Sequence, residues 1–304
     1  MTMKKTLLTL SILLTGYCCF AQYEGFEDWT QSSIITLDGY QTGANELGAL
    51  GNLTVSPSTN AIDGTYSIKL ETVIIPGGDT AFGYFMSGDV DTQTPGQPVS
   101  LANVDSITGY YRYDIKAGDS CVFLAATSMT GFGATGGSVN YITEGIQPTW
   151  KRFAFPINAI AADSLLLAVA TGDPLNEFNG IPGTWIMYDN IQLKSLTGTT
   201  QNIQNHSFEN WTTFNWDNPD GWTTSNEYAV GQSPMPAEKS TDAYSGTYAI
   251  ELTTVDSQWG DTLSGIATNG YFNEFGIFGG VPYTAEPTAV NVSYKYAPSG
   301  VDTA

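Results

Sequence analysis

The sequence is poor in cysteine and histidine. Its 304 residues include three cysteines and one histidine. Cys18 and Cys19 lie in an N-terminal segment that we expect to be removed, which leaves Cys121 alone and excludes a disulfide within the mature chain. We expect Cys121, in Ser120–Leu124, to be a small buried strand residue rather than a nucleophile. Stability must then come from a large apolar core.

Basic residues are also scarce. The chain has 10 Lys and Arg against 30 Asp and Glu. Without Lys4 and Lys5 of the N-terminal segment the balance is 10 − 2 = 8 against 30, a net charge of −22. Nucleic acid is disfavoured as a partner, because its phosphates need a basic surface. Calcium and neutral glycans are compatible with this charge, and so is solubility alone.

Long hydrophobic runs are missing after the first 20 residues. Lys4 and Lys5 precede an uncharged apolar run, and Cys19–Ala21 ends on small residues suited to a signal-peptidase site. The run is shorter than the ~20 residues of a membrane span. We therefore predict a signal peptide at residues 1–21 and a secreted or cell-surface protein, with no membrane insertion of the mature chain.

Motifs of the common enzyme classes are absent from the sequence. It contains no Gly-x-Ser-x-Gly, no His-Glu-x-x-His and no phosphate-binding loop. His206 has no Cys or Ser-motif partner, and we interpret it as a linker or capping residue. We name no catalytic residue. A glycosidase acid pair stays an open alternative, since 30 acids would offer such a pair in almost any fold.

Part of the sequence occurs twice. Phe26-Glu-Asp-Trp-Thr30 returns as Phe208-Glu-Asn-Trp-Thr212, and seven of ten positions of Gly64–Val73 are identical in Gly246–Val255. Both matches share one offset, 208 − 26 = 246 − 64 = 182. A third match starts at Gly96 and Gly280, and its offset changes only from 184 to 183. We conclude that the chain has two repeats and expect the second to be truncated, because Ala304 corresponds to Cys121.

Alternation of apolar and polar residues dominates the chain. Tyr66, Ile68, Leu70 and Thr72 alternate with polar neighbours. Further predicted strands are Ile107–Ile115, Cys121–Thr127, Lys151–Phe155, Leu165–Ala170 and Trp185–Leu193, and the glycine-rich Gly131–Gly137 is predicted to be a loop. Many short strands between turn residues indicate an all-β fold of tandem, jelly-roll-like β-sandwich modules. We place module one at 22–197, a linker at 198–202 and module two at 203–304.

The order of several motifs resembles a known family. Asn205–Trp211, Pro219-Asp-Gly-Trp222, Tyr244–Leu252 and Gly280-Val-Pro282 followed by Tyr294-Lys-Tyr296 are similar to the carbohydrate metabolism domain of secreted bacterial proteins. The first repeat lacks the Pro-Asp-Gly-Trp motif but has a matching end, Trp185–Leu193. The resemblance implies a jelly-roll related to carbohydrate-binding modules.

Modules of this shape imply a structural calcium ion. Glu27 and Glu209 follow the phenylalanine where such modules place a calcium-binding glutamate, and Asp189 stands near the last strand of the first repeat. We predict Glu27, Asp189 and Glu209 as metal ligands, completed by carbonyls near Asp63-Gly64. The alternative is that these acids are only solvated or hydrogen-bonded.

Three tryptophans are our candidates for carbohydrate binding. Trp216, Trp222 and Trp259 lie in polar, loop-like sequence, whereas Trp29 and Trp211 are predicted to fill the core. Aromatic rings and nearby polar groups are the usual lining of a ligand site. We therefore predict a non-catalytic glycan-binding or adhesion protein. The alternatives are a structural display spacer without a specific ligand, and an accessory part of a glycan-degrading enzyme.

Overall fold

The computed structural model describes residues 25–44, 48–75, 78–88, 96–173, 180–229, 234–256, 262–273, 276–280, 282 and 288–297, and in these the chain is almost entirely β. The strands are β1 (Trp29–Leu37), β2 (Gln41–Thr42), β3 (Val55–Ser58), β4 (Ser67–Glu71), β5 (Val73–Ile74), β6 (Thr80–Ala81), β7 (Tyr84–Ser87), β8 (Gln97–Pro98), β9 (Val104–Met129), β10 (Gly133–Ala159), β11 (Ser164–Thr171), β12 (Trp185–Ser195), β13 (Thr200–Asn202), β14 (Trp211–Pro219), β15 (Thr223–Thr224), β16 (Ala237–Ser240), β17 (Ala249–Leu252), β18 (Val255–Asp256), β19 (Thr262–Leu263), β20 (Ala267–Thr268), β21 (Tyr271–Asn273) and β22 (Gly276–Phe278). Short 3₁₀ helices span Gly48–Leu53 and Ser225–Tyr228.

Two long strands build both layers of the sandwich in the first repeat. The first half of β9 pairs with β12, and its second half pairs with β11. β10 follows β9 along its whole length as an antiparallel hairpin. We call the layer β3-β4-β12-β9-β10 the front sheet and the layer β2-β7-β11-β9-β10 the back sheet. Because β9 and β10 pass from one layer to the other, the two sheets are joined at this corner.

The core lies between these two sheets. Alternate residues of the front strands, including Leu70, Ile107 and Ile186, are fully buried. They meet Phe85 and Phe123 of the back strands, and Tyr188 contacts both of these rings at centroid distances of 6.4 and 5.5 Å. Burial of such side chains stabilises the fold by about 1.5–3 kcal/mol each. The all-β sandwich predicted from the alternation is confirmed.

The predicted strands agree with the observed ones, with two differences. Ile107–Ile115 and Cys121–Thr127 are parts of one strand, β9, which continues through Lys116–Ser120 with an irregularity at Gly118, where φ is +86°. The loop predicted at Gly131–Gly137 is wrong from Gly133 onward, where β10 begins. Glycine suits this stretch because a Cβ at Gly136 would lie 2.4 Å from the Ile157 carbonyl oxygen. Cys121 is fully buried, as expected, and burial raises the pKa of its thiol.

The later part of the chain forms short two-stranded sheets. β15 pairs with β20, β16 with β17, β18 with β19, and β21 with β22. Val290, Val292, Tyr294 and Tyr296 are between 49 and 88 % exposed. At the offset of 183 these residues match Ile107 to Tyr113 of the central strand β9. In the part of the chain that the structure describes, no helix is long and apolar enough to cross a membrane.

Candidate functional site

The outward face of the front sheet carries charged and aromatic side chains. Side chains alternate between the two faces of a strand, and Leu70, Tyr113 and Ile186 point to the core. Their neighbours therefore point outward. The register aligns them in two rows across β9, β12 and β4, namely Asp114–Trp185–Glu71 and Arg112–Met187–Lys69. We call these six residues the front face.

Trp185 and Arg112 are in contact at the centre of the front face. The Arg112 guanidinium carbon lies 5.6 Å from the centroid of the Trp185 ring. A cation over an indole is attracted by the negative face of the ring. The Nε atom of Arg112 is buried and has no hydrogen-bond partner among the described residues. An unpaired donor of this kind costs free energy until an oxygen atom accepts from it.

Ion pairs flank this contact on both sides. Lys69 Nζ pairs with a Glu71 carboxylate oxygen on β4, and Lys116 Nζ lies 2.9 Å from Asp114 Oδ2 on β9. Each pair joins residues two apart on one strand and is partly exposed, so its contribution to stability is small. What the pairs do provide is a set of fixed donors and acceptors around Trp185.

A second tryptophan lies in a bulge of β10, opposite Arg112 of β9. β10 departs from its register between Gln147 and Lys151, and Trp150 in this bulge donates from Nε1 to Asn60 Oδ1 at 3.0 Å. Asn60 also accepts from Ser67 Oγ at the start of β4, whereas Trp185 pairs with Glu71 at its end.

Of the three tryptophans predicted from the sequence, the two that the structure describes lie elsewhere. Trp216 is 5 % exposed and packs with Ile34 and Ala44, so neither face of its ring is open in this arrangement. Trp222 is half-buried and its ring centroid is 5.2 Å from that of Phe26. Trp259 falls outside the described residues, and its role stays a prediction.

The predicted ligand Glu209 contacts the first repeat. Its Oε1 accepts hydrogen bonds from the backbone N–H groups of Thr65 and Tyr66, at 2.9 and 2.7 Å. Asp189 approaches the same loop and accepts from the N–H groups of Ile62 and Asp63 at 2.6 and 3.0 Å. Burial raises the pKa of Asp189, and these N–H donors oppose that shift. Glu209 and Asp189 are therefore brought to one loop, Ile62–Tyr66.

The predicted ligand Glu27 contacts the second repeat instead. Both of its carboxylate oxygens accept from Thr247 N, at 3.0 and 2.9 Å, and Oε1 also accepts from Tyr248 N. Glu27 and Asp189 thus bind different loops, and their oxygens face N–H donors, which suits hydrogen-bonded acids better than a shared cation. Within the described ranges no group of three or more His, Cys, Asp or Glu side chains is arranged to hold a metal ion.

One carboxyl group of the second repeat is strongly perturbed. Burial raises the pKa of Glu227 to about 7, and burial together with the nearby Glu227 charge raises the pKa of Tyr228 to about 12. Among the described carboxyl groups Asp189 also has a raised pKa, and it is held by the loop of the first repeat.

Sequence reasoning missed the front face. Trp185 was noted only as the start of a motif, and Arg112 lies 73 positions earlier (185 − 112). The usable signal was the alternation in Trp185–Leu193, which puts Trp185 on the opposite face from the apolar Ile186 and Tyr188. Trp150 carried no such signal, because a bulge changes which face a residue occupies.

Comparison with solved structures finds weak likenesses to carbohydrate-binding and adhesin domains. A family 11 carbohydrate-binding module from Clostridium thermocellum, in complex with a mixed-linked tetrasaccharide, aligns at 12 % identity and TM-score 0.30, covering 57 % of this chain and 92 % of that one. A cleaved adhesin domain of Lys-gingipain from Porphyromonas gingivalis aligns at 17 % and 0.31, covering 55 % and 98 %. A xylan-binding domain from Paenibacillus barcinonensis aligns at 14 % and 0.26, covering 56 % and 89 %. No family model and no curated protein matches the chain.

Proposed function

We propose that this chain is a non-catalytic carbohydrate-binding protein, and that glycan binds on the front face. The observation that carries the proposal is the contact between Trp185 and Arg112 on the outward face of the front sheet. An aromatic ring with a few convergent polar groups is the usual composition of a small-molecule site. The acidic balance of the chain favours neutral glycans over polyanions.

Each part of the front face has a chemical role in this proposal. The half-buried Trp185 ring offers an apolar surface to the C–H face of a sugar ring. Arg112 donates to sugar hydroxyls from its guanidinium group. The carboxylates of Asp114 and Glu71 accept from hydroxyls at the side. Trp150, in the β10 bulge opposite Arg112, provides a second platform, so an oligosaccharide is favoured over a monosaccharide.

The test is a binding screen with the mature chain. We expect pull-down by at least one polysaccharide from a panel that includes xylan and mixed-linked β-glucan. Trp185→Ala should weaken that binding about tenfold or more, because central aromatic anchors carry much of an interface's energy. The matched control is Tyr141→Ala on the back sheet, where Tyr141 is 50 % exposed and should not matter. Equal loss in both variants, or no binding by the folded protein, would contradict the proposal.

A spacer function without a specific ligand is the second candidate. It is favoured by Trp216 of β14, which is buried against Ile34 and Ala44 rather than exposed to a ligand. A spacer would bind nothing on the panel and would be insensitive to Trp185→Ala. The same screen therefore separates the two functions.

Export and the two-module organisation belong to the same proposal. The signal peptide at residues 1–21 would deliver the protein to the cell surface or medium. Module one at 22–197 carries the front face, and repeated modules gain binding through effective concentration.

We also propose a structural calcium ion at Glu27, Asp189 or Glu209. Carbonyls of the Ile62–Tyr66 loop would complete a shell beside Asp189 and Glu209, whose side chains both approach this loop. Calcium should then raise the melting temperature of the mature chain, and a chelator should lower it. No change with either would leave these carboxylates as hydrogen-bond acceptors only.

A further inference from the structure

The segments Phe26–Trp29 and Phe208–Trp211, which we call plugs, have the same internal geometry. Phe26 and Phe208 have positive φ angles of 54° and 55°. In each plug the tryptophan Nε1 donates to the carbonyl oxygen of that phenylalanine, at 2.6 and 2.7 Å. A positive φ is unusual for a bulky residue and persists only where its surroundings hold it. Each plug is thus a specific local structure.

Each plug carboxylate binds the loop of the other repeat. Glu209 accepts from Thr65 N and Tyr66 N, and Glu27 accepts from Thr247 N and Tyr248 N. The glycine before each threonine has a φ of +77° or +76°, and an added Cβ would lie 2.4 Å from Glu209 or 2.0 Å from Glu27. Successive N–H groups in such a turn form a concave site for an anion. This explains why Gly-Thr-Tyr occurs in both repeats.

Each plug phenylalanine also packs on the other repeat. Phe208 is fully buried in the core of the first sandwich, with its ring 6.3 Å from Tyr40 and 5.5 Å from Phe85. Phe26 packs at 5.2 Å on Trp222. Trp222 is the counterpart of Tyr40, since 222 − 40 = 182. The two contacts are therefore equivalent and crossed.

A symmetrical ribbon joins the two plugs. β1 pairs antiparallel with β14 from Trp29↔Pro219 to Leu37↔Trp211, and its centre is Ser33↔Asn215, a residue and its own counterpart. Bonds at the two ends match as well. Thr30 Oγ1 donates to Asp220 Oδ1 at 2.6 Å, and Thr212 Oγ1 to Asp38 Oδ1 at 2.7 Å. The ribbon reads the same from both ends, as an isologous two-fold contact does.

We propose that the repeats exchange their plugs reciprocally within one chain, so that each repeat is completed by the plug of the other. Each repeat recognises a second copy of the same kind of repeat, through the Phe-Glu-x-Trp segment in the plug of that copy. This arrangement couples the repeats, because separating them requires both plugs to leave and the nine-residue ribbon to open. The inference does not depend on glycan binding.

Hydrogen exchange of the mature chain tests the crossing. Glu209→Ala should speed exchange of the Thr65 and Tyr66 amides by about 10- to 100-fold, as expected for loss of a charged acceptor, and leave Thr247 and Tyr248 unchanged. Glu27→Ala is the matched variant and should do the reverse. The conservative changes Glu209→Gln and Glu27→Gln, which keep an acceptor, should give smaller effects at the same amides.

The outcomes separate the alternatives. If Glu209→Ala acts on Thr247 and Tyr248 instead, each plug sits in its own repeat and the proposal is overturned. Light scattering of the same samples should give a monomer. A dimer that shows the crossed pattern would overturn exchange within one chain. Since no glycan is present in these measurements, their failure is distinct from failure of the binding screen.

Discussion

Replacing Phe208 with alanine should destabilise the first repeat, although Phe208 lies within residues 203–304, the predicted second module. Its ring is fully buried against Phe85 and Tyr40. Removal of a buried phenylalanine costs about 3–5 kcal/mol. For a domain of this size, about 2–4 °C of melting temperature is lost per kcal/mol, so the expected fall is about 6–20 °C. The free-energy cost of about 3–5 kcal/mol is a large part of a typical stability of about 5–15 kcal/mol.

Calorimetry and hydrogen exchange together make this prediction specific. The unfolding transition whose melting temperature falls should be the one in which the amides of β9 lose protection from exchange, because β9 lies at the centre of the first sandwich. The matched control is Phe26→Ala, whose ring is only half-buried and packs on Trp222. It should cost less and should leave β9 protected. If Phe26→Ala lowers β9 protection more than Phe208→Ala does, the crossed packing is refuted.

Three further predictions concern single residues. Glu227 has a pKa of about 7 when folded against an ordinary 4.5, so stability should fall by about 3 kcal/mol at most as pH rises from 4.5 to 7. Denaturation of Glu227→Gln should lack that slope, and an equal slope in both proteins would disprove the assignment. Gly64→Ala should lower the free energy of unfolding by at least about 1 kcal/mol more than Gly198→Ala. Both glycines have a positive φ, but of the two only Gly64 has a neighbour, Glu209, within 4 Å of an added Cβ. Equal melting temperatures of the two variants would contradict this. Cys121 should resist thiol reagents until the protein unfolds, and rapid labelling under native conditions would show that it is accessible.

The sandwich could be predicted because its signal is local. The alternation in Tyr66–Thr72 predicts one apolar face, and the observed strand β4 buries Ile68 and Leu70 while leaving Lys69 and Glu71 outside. Trp216 shows where local reasoning failed. Its neighbours are polar and suggested a loop, yet the residue lies in β14, whose partner β1 is about 180 positions away. Burial of such a ring depends on a pairing that no nearby residue specifies.

The crossing of the plugs could not be predicted for a related reason. Glu27 and Glu209 sit in nearly identical motifs, and the loops at Gly64-Thr-Tyr and Gly246-Thr-Tyr are identical. Either glutamate suits either loop chemically, so the sequence is the same for the crossed and uncrossed arrangements. The choice depends on how the ribbon of β1 and β14 orients the two repeats. The repetition itself was readable, and it explains why the crossed contacts have matching geometry.

The front face is the central claim, and an NMR titration with a polysaccharide fragment from the screen tests it most directly. The seven indole N–H signals and the Arg112 Nε–H signal can be followed in one experiment. We predict that Trp185 and Arg112 shift first, that Trp150 shifts with longer oligosaccharides, and that Trp216 does not move. Shifts confined to Trp222 or Trp259 would contradict the front face as the binding site and favour the tryptophans chosen from the sequence.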